Sequence, residues 1–126
     1  MNSIYLVVKS RDEADMLRGL LPRVTRKEIE FVVEDDPSSA ISTARTLLAL
    51  GGRPVALVVD AGTTDETQIA TQRETLAALL ENASPNLPCR VFIAAPSLPD
   101  IFAARRPFDN MPLVQEITAF VRGVTN

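Results

Sequence analysis

The chain has 126 residues, of which 46% are hydrophobic and 23% charged, a balance that predicts one soluble domain with a hydrophobic core. It has no histidine and one cysteine, Cys89, which excludes Ser-His-Asp and Cys-His catalysis, histidine-ligated zinc, histidine phosphorelay and an internal disulfide. The net charge of -3 gives no support for a broad nucleic-acid-binding surface, although a local basic patch is compatible with it.

Four short apolar runs predict β-strands. They are rich in branched residues, and three of them are continuous rather than alternating, which is typical of strands that are covered on both faces of a parallel sheet. The predicted strands are Ile4–Val8, Ile29–Val33, Val55–Val59 and Val91–Ala95.

The first two connecting segments carry helix signals. Ser10 and Glu13 form a capping-box pattern, and apolar residues at helical spacing follow it as far as Pro22. Asp36 before Pro37 predicts an N-cap with proline at the first helical position, and the glycine pair at 51 and 52 ends that helix.

The later connecting segments are also predicted to be helical. Thr63 and Glu66 form a second capping-box pattern, which opens a long helix with one apolar side. After the fourth strand, SLPDIFAARR predicts a short helix, and PLVQEITAFVRG predicts a last helix that ends at Gly123.

This alternation of strands and helices indicates a doubly wound α/β fold. Right-handed crossovers place helices on both faces of a parallel sheet, so we predict a single Rossmann-like domain that spans residues 1–126 around a four-stranded parallel sheet. No internal repeat or long linker divides it.

Such folds bind ligands at the carboxyl ends of their strands. Neither a G-x-G-x-x-G turn nor a G-x-x-x-x-G-K-S/T loop is present, which disfavours nucleotide binding in those two modes. The polar candidates at the strand ends are Lys9, Ser10, Glu34, Asp35, Asp36, Asp60, Asp65 and Ser97.

Two segments, IYLVVKSRDEADMLRGLLP and VALVVDAGTTDE, resemble the metal-binding parts of TOPRIM domains, which occur in topoisomerases, bacterial primases and OLD-type nucleases. In that family the first strand ends in a glutamate followed by glycine, the third ends in D-x-D, and these acids hold Mg²⁺ for phosphodiester chemistry. A later segment, VFIAAPSLPDIF, is similar to the VFLA-P-E segment of small OLD-like TOPRIM proteins, so the resemblance covers most of the chain. It implies the strand order 2-1-3-4.

The chain departs from this family in the residues that would bind the metal. Lys9 stands in place of the glutamate, Ser10 in place of its glycine and Gly62 in place of the second aspartate, so Asp60 alone is carried over. Mg²⁺ in phosphoryl chemistry depends on carboxylates held in geometry. If the first and third strands are neighbours, the Lys9 ammonium lies within reach of Asp60, and at about 4 Å the pair attracts by roughly 4 kcal/mol.

With this departure, the resemblance implies a TOPRIM-like protein that has lost metal-dependent phosphodiester chemistry and serves as a binding or regulatory module without a cofactor. One alternative is a Mg²⁺-dependent nuclease-type enzyme with a divergent site, in which Asp60 binds the metal with help from Asp65, Glu66 and Glu34. A simpler interpretation treats Lys9 and Asp60 as polar strand ends without an inherited role.

The layout also resembles the receiver domain of response regulators, in which the aspartate after the third strand is phosphorylated. Receivers have an acidic pair after the first strand, a serine or threonine after the fourth and a lysine after the fifth. Here Lys9 and Ser10 replace the acidic pair, Ser97 follows the fourth strand, and the other lysine, Lys27, follows no fifth strand. A receiver-like signalling or interaction domain is therefore a further alternative.

The sequence leaves the partner open between another protein and a second copy of the chain. Arg105 and Arg106 could contact the phosphates of a nucleic acid, although such a pair at a helix end more often offsets the helix dipole. No apolar run approaches the roughly 20 residues that cross a bilayer, and no basic segment precedes the first one, so we expect a cytoplasmic protein with no membrane partner.

Overall fold

The computed structural model describes residues 4–34, 36–50, 52–83, 87–103 and 112–125. These ranges hold four strands and six helices. In chain order the elements are β1 (Ile4–Val8), α1 (Arg11–Leu20), α2 (Arg23–Lys27), β2 (Ile29–Val33), α3 (Pro37–Leu50), β3 (Val55–Asp60), α4 (Glu66–Ala83), β4 (Cys89–Ala94), α5 (Leu98–Ala103) and α6 (Pro112–Thr125).

The four strands form one parallel sheet in the order β2-β1-β3-β4. Val7 of β1 lies opposite Val32 of β2 and Leu57 of β3, so β1 and β3 are hydrogen-bonded neighbours and end side by side. The predicted doubly wound α/β fold and its strand order are both confirmed. Adjacent parallel strands bring the residues that follow them to one edge of the sheet.

Each face of the sheet is covered by its own set of helices. Because successive side chains of a strand point to opposite faces, Leu6 and Val8 pack on one side of the sheet and Val7 on the other. The first face is covered by α1, α5 and α6, with Phe92 and Phe120 in edge-to-face contact at 6.0 Å. The second face is covered by α3 and α4. Each large apolar side chain buried in these layers contributes about 1.5–3 kcal/mol.

None of the helices in the described ranges has both the length and the apolar character needed to cross a membrane.

Two of the predicted helix starts are confirmed. Ser10 Oγ accepts a hydrogen bond from the Glu13 N–H at 3.2 Å, and Asp36 Oδ1 accepts one from the Ser39 N–H at 3.0 Å. The hydrogen bonds from Ser39 lower the pKa of Asp36, because they stabilise its charged form. Both side chains therefore satisfy N–H groups that a first helical turn leaves free.

The predicted start of α4 is wrong, because the capping residue is Asp65 rather than Thr63. Asp65 Oδ1 accepts hydrogen bonds from the N–H groups of Thr67 and Gln68 at 2.9 and 3.3 Å, while Thr63 Oγ1 accepts one from the N–H of Asp65 itself at 3.1 Å. The carboxylate that directly precedes Glu66 is the acceptor closest to the free N–H groups of the first turn, so it displaces the predicted capping box.

Other boundaries also differ from the prediction. The predicted helix end at Pro22 is followed by a second short helix, α2, which the sequence pattern did not indicate. The last helix continues past Gly123 to Thr125, because Gly123 does not adopt the left-handed conformation of a helix-ending glycine and Val124 beyond it packs against the core. The fourth strand begins two residues earlier than predicted, at Cys89.

Candidate functional site

The carboxyl edge of the sheet brings Lys9 and Asp60 into direct contact. Lys9 follows the last residue of β1 and Asp60 is the last residue of the neighbouring β3, and Lys9 Nζ lies 2.6 Å from Asp60 Oδ2. The Asp60 side chain is 13% exposed and that of Lys9 is 37% exposed, so the pair is only partly open to solvent. The contact expected from the strand ends is present.

The second carboxylate oxygen of Asp60 is also engaged. Asp60 Oδ1 accepts a hydrogen bond from the N–H of Leu98, the first residue of α5, at 2.8 Å. One strand end is thus linked to β1 through an ammonium group and to α5 through a backbone N–H. Asp60 serves as a structural connector between three elements of the fold.

Glu13 is the third charged group of this cluster, and the sequence assigned it only a capping role. It lies in the first turn of α1, is 2% exposed, and its Oε2 is 3.9 Å from Lys9 Nζ. Ser10 Oγ is 3.5 Å from the same oxygen, and Glu13 Oε1 is buried without a hydrogen-bond partner. A signal was present in the sequence, because Glu13 precedes Leu17 and Leu20 at helical spacing and so shares their buried side.

Burial and mutual contacts shift the pKa values of Glu13 and Lys9. Burial raises the pKa of Glu13, the charge of Asp60 adds to that rise, and the Lys9 ammonium opposes it. The hydrogen bond to Asp60 raises the pKa of Lys9 and keeps it charged at neutral pH. The Lys9–Asp60 pair is therefore a formed ion pair beside a buried carboxyl group whose pKa is raised.

Gly62 has a structural reason to be glycine. Its φ is +71°, in the left-handed region that side chains disfavour, and its N–H donates to Pro96 O at 2.8 Å. A Cβ at this position would meet nothing within 4 Å, so only the backbone conformation opposes a larger residue. The tight turn after β3 accounts for this glycine without reference to a lost metal ligand.

The other predicted acids make local contacts. The Asp65 carboxylate caps α4, Glu66 is exposed in the first turn of that helix, and Glu34 Oε1 accepts a hydrogen bond from Thr43 Oγ1 at 2.8 Å. Within the part of the chain that the structure describes, no three Asp, Glu, Cys or His residues are grouped so that they could hold a metal ion.

Two further candidates of the sequence do not meet Asp60. Ser97 Oγ donates to Asp100 Oδ2 at 2.7 Å and accepts from the Asp100 N–H, so its hydroxyl caps α5. Lys27 is at the end of α2, directly before β2 begins. It therefore lies near the amino end of a strand, whereas Asp60 lies at a carboxyl end. Candidate positions Asp35, Gly51, Arg105 and Arg106 lie outside the described residues.

A search of protein-family models, of curated proteins and of solved structures finds no match to this chain.

Proposed function

We propose that this domain is a TOPRIM-like binding or regulatory module in which the Lys9 ammonium occupies the place that a divalent cation takes in metal-dependent TOPRIM domains. The observation that carries the proposal is the 2.6 Å contact between Lys9 Nζ and Asp60 Oδ2. Asp60 is the only one of the metal-binding acids implied by the resemblance that this chain has, and its partner is a cation of the protein itself.

The donor set at this edge does not suit Mg²⁺. The cluster offers two carboxylates, Glu13 and Asp60, and the Lys9 ammonium contacts one and approaches the other. A divalent ion about 4 Å from that ammonium would be repelled by roughly 8 kcal/mol at an effective dielectric of 20. Binding would therefore require displacement of Lys9, and we assign no catalytic step to a metal here.

Titration calorimetry with MnCl₂ tests the proposal directly. We expect no stoichiometric binding to the wild-type protein, because the ammonium group already neutralises Asp60. Binding of one Mn²⁺ per chain that Asp60→Asn abolishes would contradict the proposal and favour the alternative of a divergent Mg²⁺-dependent nuclease-type enzyme.

A gain-of-binding variant tests the correspondence with the metal-binding motif. Lys9→Glu combined with Gly62→Asp supplies carboxylates at both substituted positions, and the left-handed backbone at residue 62 makes the second change cost about 1 kcal/mol. We expect the folded double variant to bind Mn²⁺. The matched control, Lys9→Gln with Gly62→Asn, has the same shape without the charges and should not bind. A folded double variant that binds no better than this control would count against the correspondence.

A further inference from the structure

A cationic groove lies beside β2, at the opposite end of the sheet from Lys9 and Asp60. Its volume is about 520 Å³. It is lined by Arg18, Arg23, Arg26, Lys27, Ile29, Glu30 and Phe31. The basic residues come from the end of α1 and from α2, two helices that pack next to the start of β2.

The groove is positively charged although the protein is acidic. Residues 18–27 include four cations and no acid, in a chain whose net charge is -3. The Arg18 guanidinium stacks over the Phe31 ring at 4.6 Å and also pairs with the exposed Asp15 at 3.0 Å. Arg23 and Lys27 are exposed, and among the described residues neither forms an ion pair. Their charges are therefore available to an anionic ligand.

The edge of β2 has backbone groups that no neighbouring strand uses. The Ile4 N–H donates to Glu28 O and the Glu34 N–H donates to Val8 O. The even-numbered residues of this segment therefore direct their backbone N–H and C=O groups toward β1. Ile29, Phe31 and Val33 consequently direct their N–H and C=O groups outward. In the described part of the chain no backbone hydrogen bond outside helices and paired strands involves these three residues.

We propose that this edge binds an extended acidic segment of a partner protein as an additional strand. Backbone hydrogen bonds to the outward groups of β2 would supply affinity, and acidic side chains facing Arg23 and Lys27 would supply selectivity. The five residues of β2 extend about 16 Å, the length of a segment of five or six residues. This inference names the partner of the binding module proposed above and rests on that role.

Two observations favour an acidic peptide over other occupants. A second copy of the chain, paired edge to edge with its β2 in the same direction, would bring two sets of basic residues together, and like-charged sheet edges oppose self-association. A nucleic acid would use the cations but has no need of the outward N–H and C=O groups. An acidic strand uses both features of the groove.

Fluorescence anisotropy with a labelled ten-residue peptide of alternating glutamate and valine tests the proposal. We expect binding at least tenfold tighter than that of the matching lysine-valine peptide. Arg23→Glu with Lys27→Glu should weaken binding at least tenfold. The control, Arg45→Glu with Arg73→Glu, makes the same charge change at exposed positions of α3 and α4 and should leave binding within twofold. Circular dichroism verifies that each variant is folded.

Backbone pairing is tested with two peptides N-methylated at alternate residues, one in each register. Only the peptide whose blocked N–H groups face β2 should lose binding, by at least tenfold. The proposal is overturned if the acidic peptide does not bind at up to about 1 mM, or if both N-methylated peptides bind equally. It is also overturned if labelled oligothymidylate binds more tightly and loses binding in the Arg23→Glu, Lys27→Glu variant. The Mn²⁺ titration concerns the carboxyl ends of β1 and β3 and the peptide titration the outer side of β2, so failure of one proposal is distinguishable from failure of the other.

Discussion

Replacing Lys9 by methionine removes the cation of the carboxyl-edge cluster while keeping a side chain of similar length. The variant leaves two carboxyl groups, Asp60 and the buried Glu13, close together without a counter-charge. We expect Lys9→Met to destabilise the protein at neutral pH. The effect should be smaller at acidic pH, where Glu13 takes up a proton and the repulsion disappears.

The expected loss of unfolding free energy follows from the distance between Lys9 and Asp60 and from the exposure of their side chains. At 2.6 Å, the separation of Lys9 Nζ and Asp60 Oδ2, the gross attraction is about 6 kcal/mol at an effective dielectric of 20. Desolvation and solvent screening of the partly exposed Lys9 offset most of it. Breaking a buried pair costs about 3–5 kcal/mol and an exposed pair about 0–1 kcal/mol. We therefore expect a loss of about 2 kcal/mol, or about 8 °C in Tm for a chain of this size.

Urea denaturation followed by far-UV circular dichroism measures this loss, since the chain has no tryptophan for fluorescence. Arg45→Met is the matched control, because Arg45 is exposed on α3 and has no ion pair among the described residues. It should change stability by less than about 0.5 kcal/mol. A double-mutant cycle with Asp60→Asn should give a coupling energy of at least about 1 kcal/mol.

Two results would refute this reasoning. The first is a free energy of unfolding of Lys9→Met within about 0.5 kcal/mol of the wild-type value at pH 7, which would mean that the ion pair contributes no more than an exposed surface pair. If the loss is the same at pH 8 as at or below pH 4.5, the ordinary pKa of a glutamate, then Glu13 is not coupled to Lys9 and Asp60, and the cluster is a simple pair.

Two further predictions concern α4 and Glu13. Asp65→Ala should lower the free energy of unfolding by about 1 kcal/mol, because the Asp65 carboxylate caps α4. Thr63→Ala should lower it by less than half as much. Urea titrations that rank the two variants in reverse would favour the capping box of Thr63 and Glu66 instead. Folding raises the pKa of Glu13 above its ordinary 4.5, so as pH rises the unfolded chain loses this proton before the folded protein does. The free energy of unfolding of the wild type should therefore fall as pH rises from 4.5 through the raised pKa. Glu13→Gln should lack that fall, and parallel pH profiles of the two proteins would contradict the assignment.

The fold was predictable because its signals are local. A continuous run of branched apolar residues such as Val55 to Val59 indicates a strand buried on both faces, whatever surrounds it. The caps at Ser10 and Asp36 depend on hydrogen bonds over three residues. Where two local signals compete, as between Thr63 and Asp65, the sequence pattern predicted the wrong N-cap residue.

The candidate site was predictable in part. The fold order places the ends of β1 and β3 side by side, so the meeting of Lys9 and Asp60 followed from the sequence and is present in the structure. The burial of Glu13 against this pair was not predicted, because a capping role already explained the residue, although its helical spacing with Leu17 and Leu20 places it on the buried side of α1.

By itself the sequence determined the layers of this protein, the four strands of its sheet and the charged pair at the carboxyl ends of β1 and β3. Only the tertiary structure decided that Glu13 is buried beside that pair, that Gly62 occupies a left-handed turn, and that basic residues of α1 and α2 converge beside the free edge of β2. The reason is physical: secondary structure follows mainly from neighbours along the chain, whereas electrostatics follows from distance and burial, which are fixed once the elements have packed.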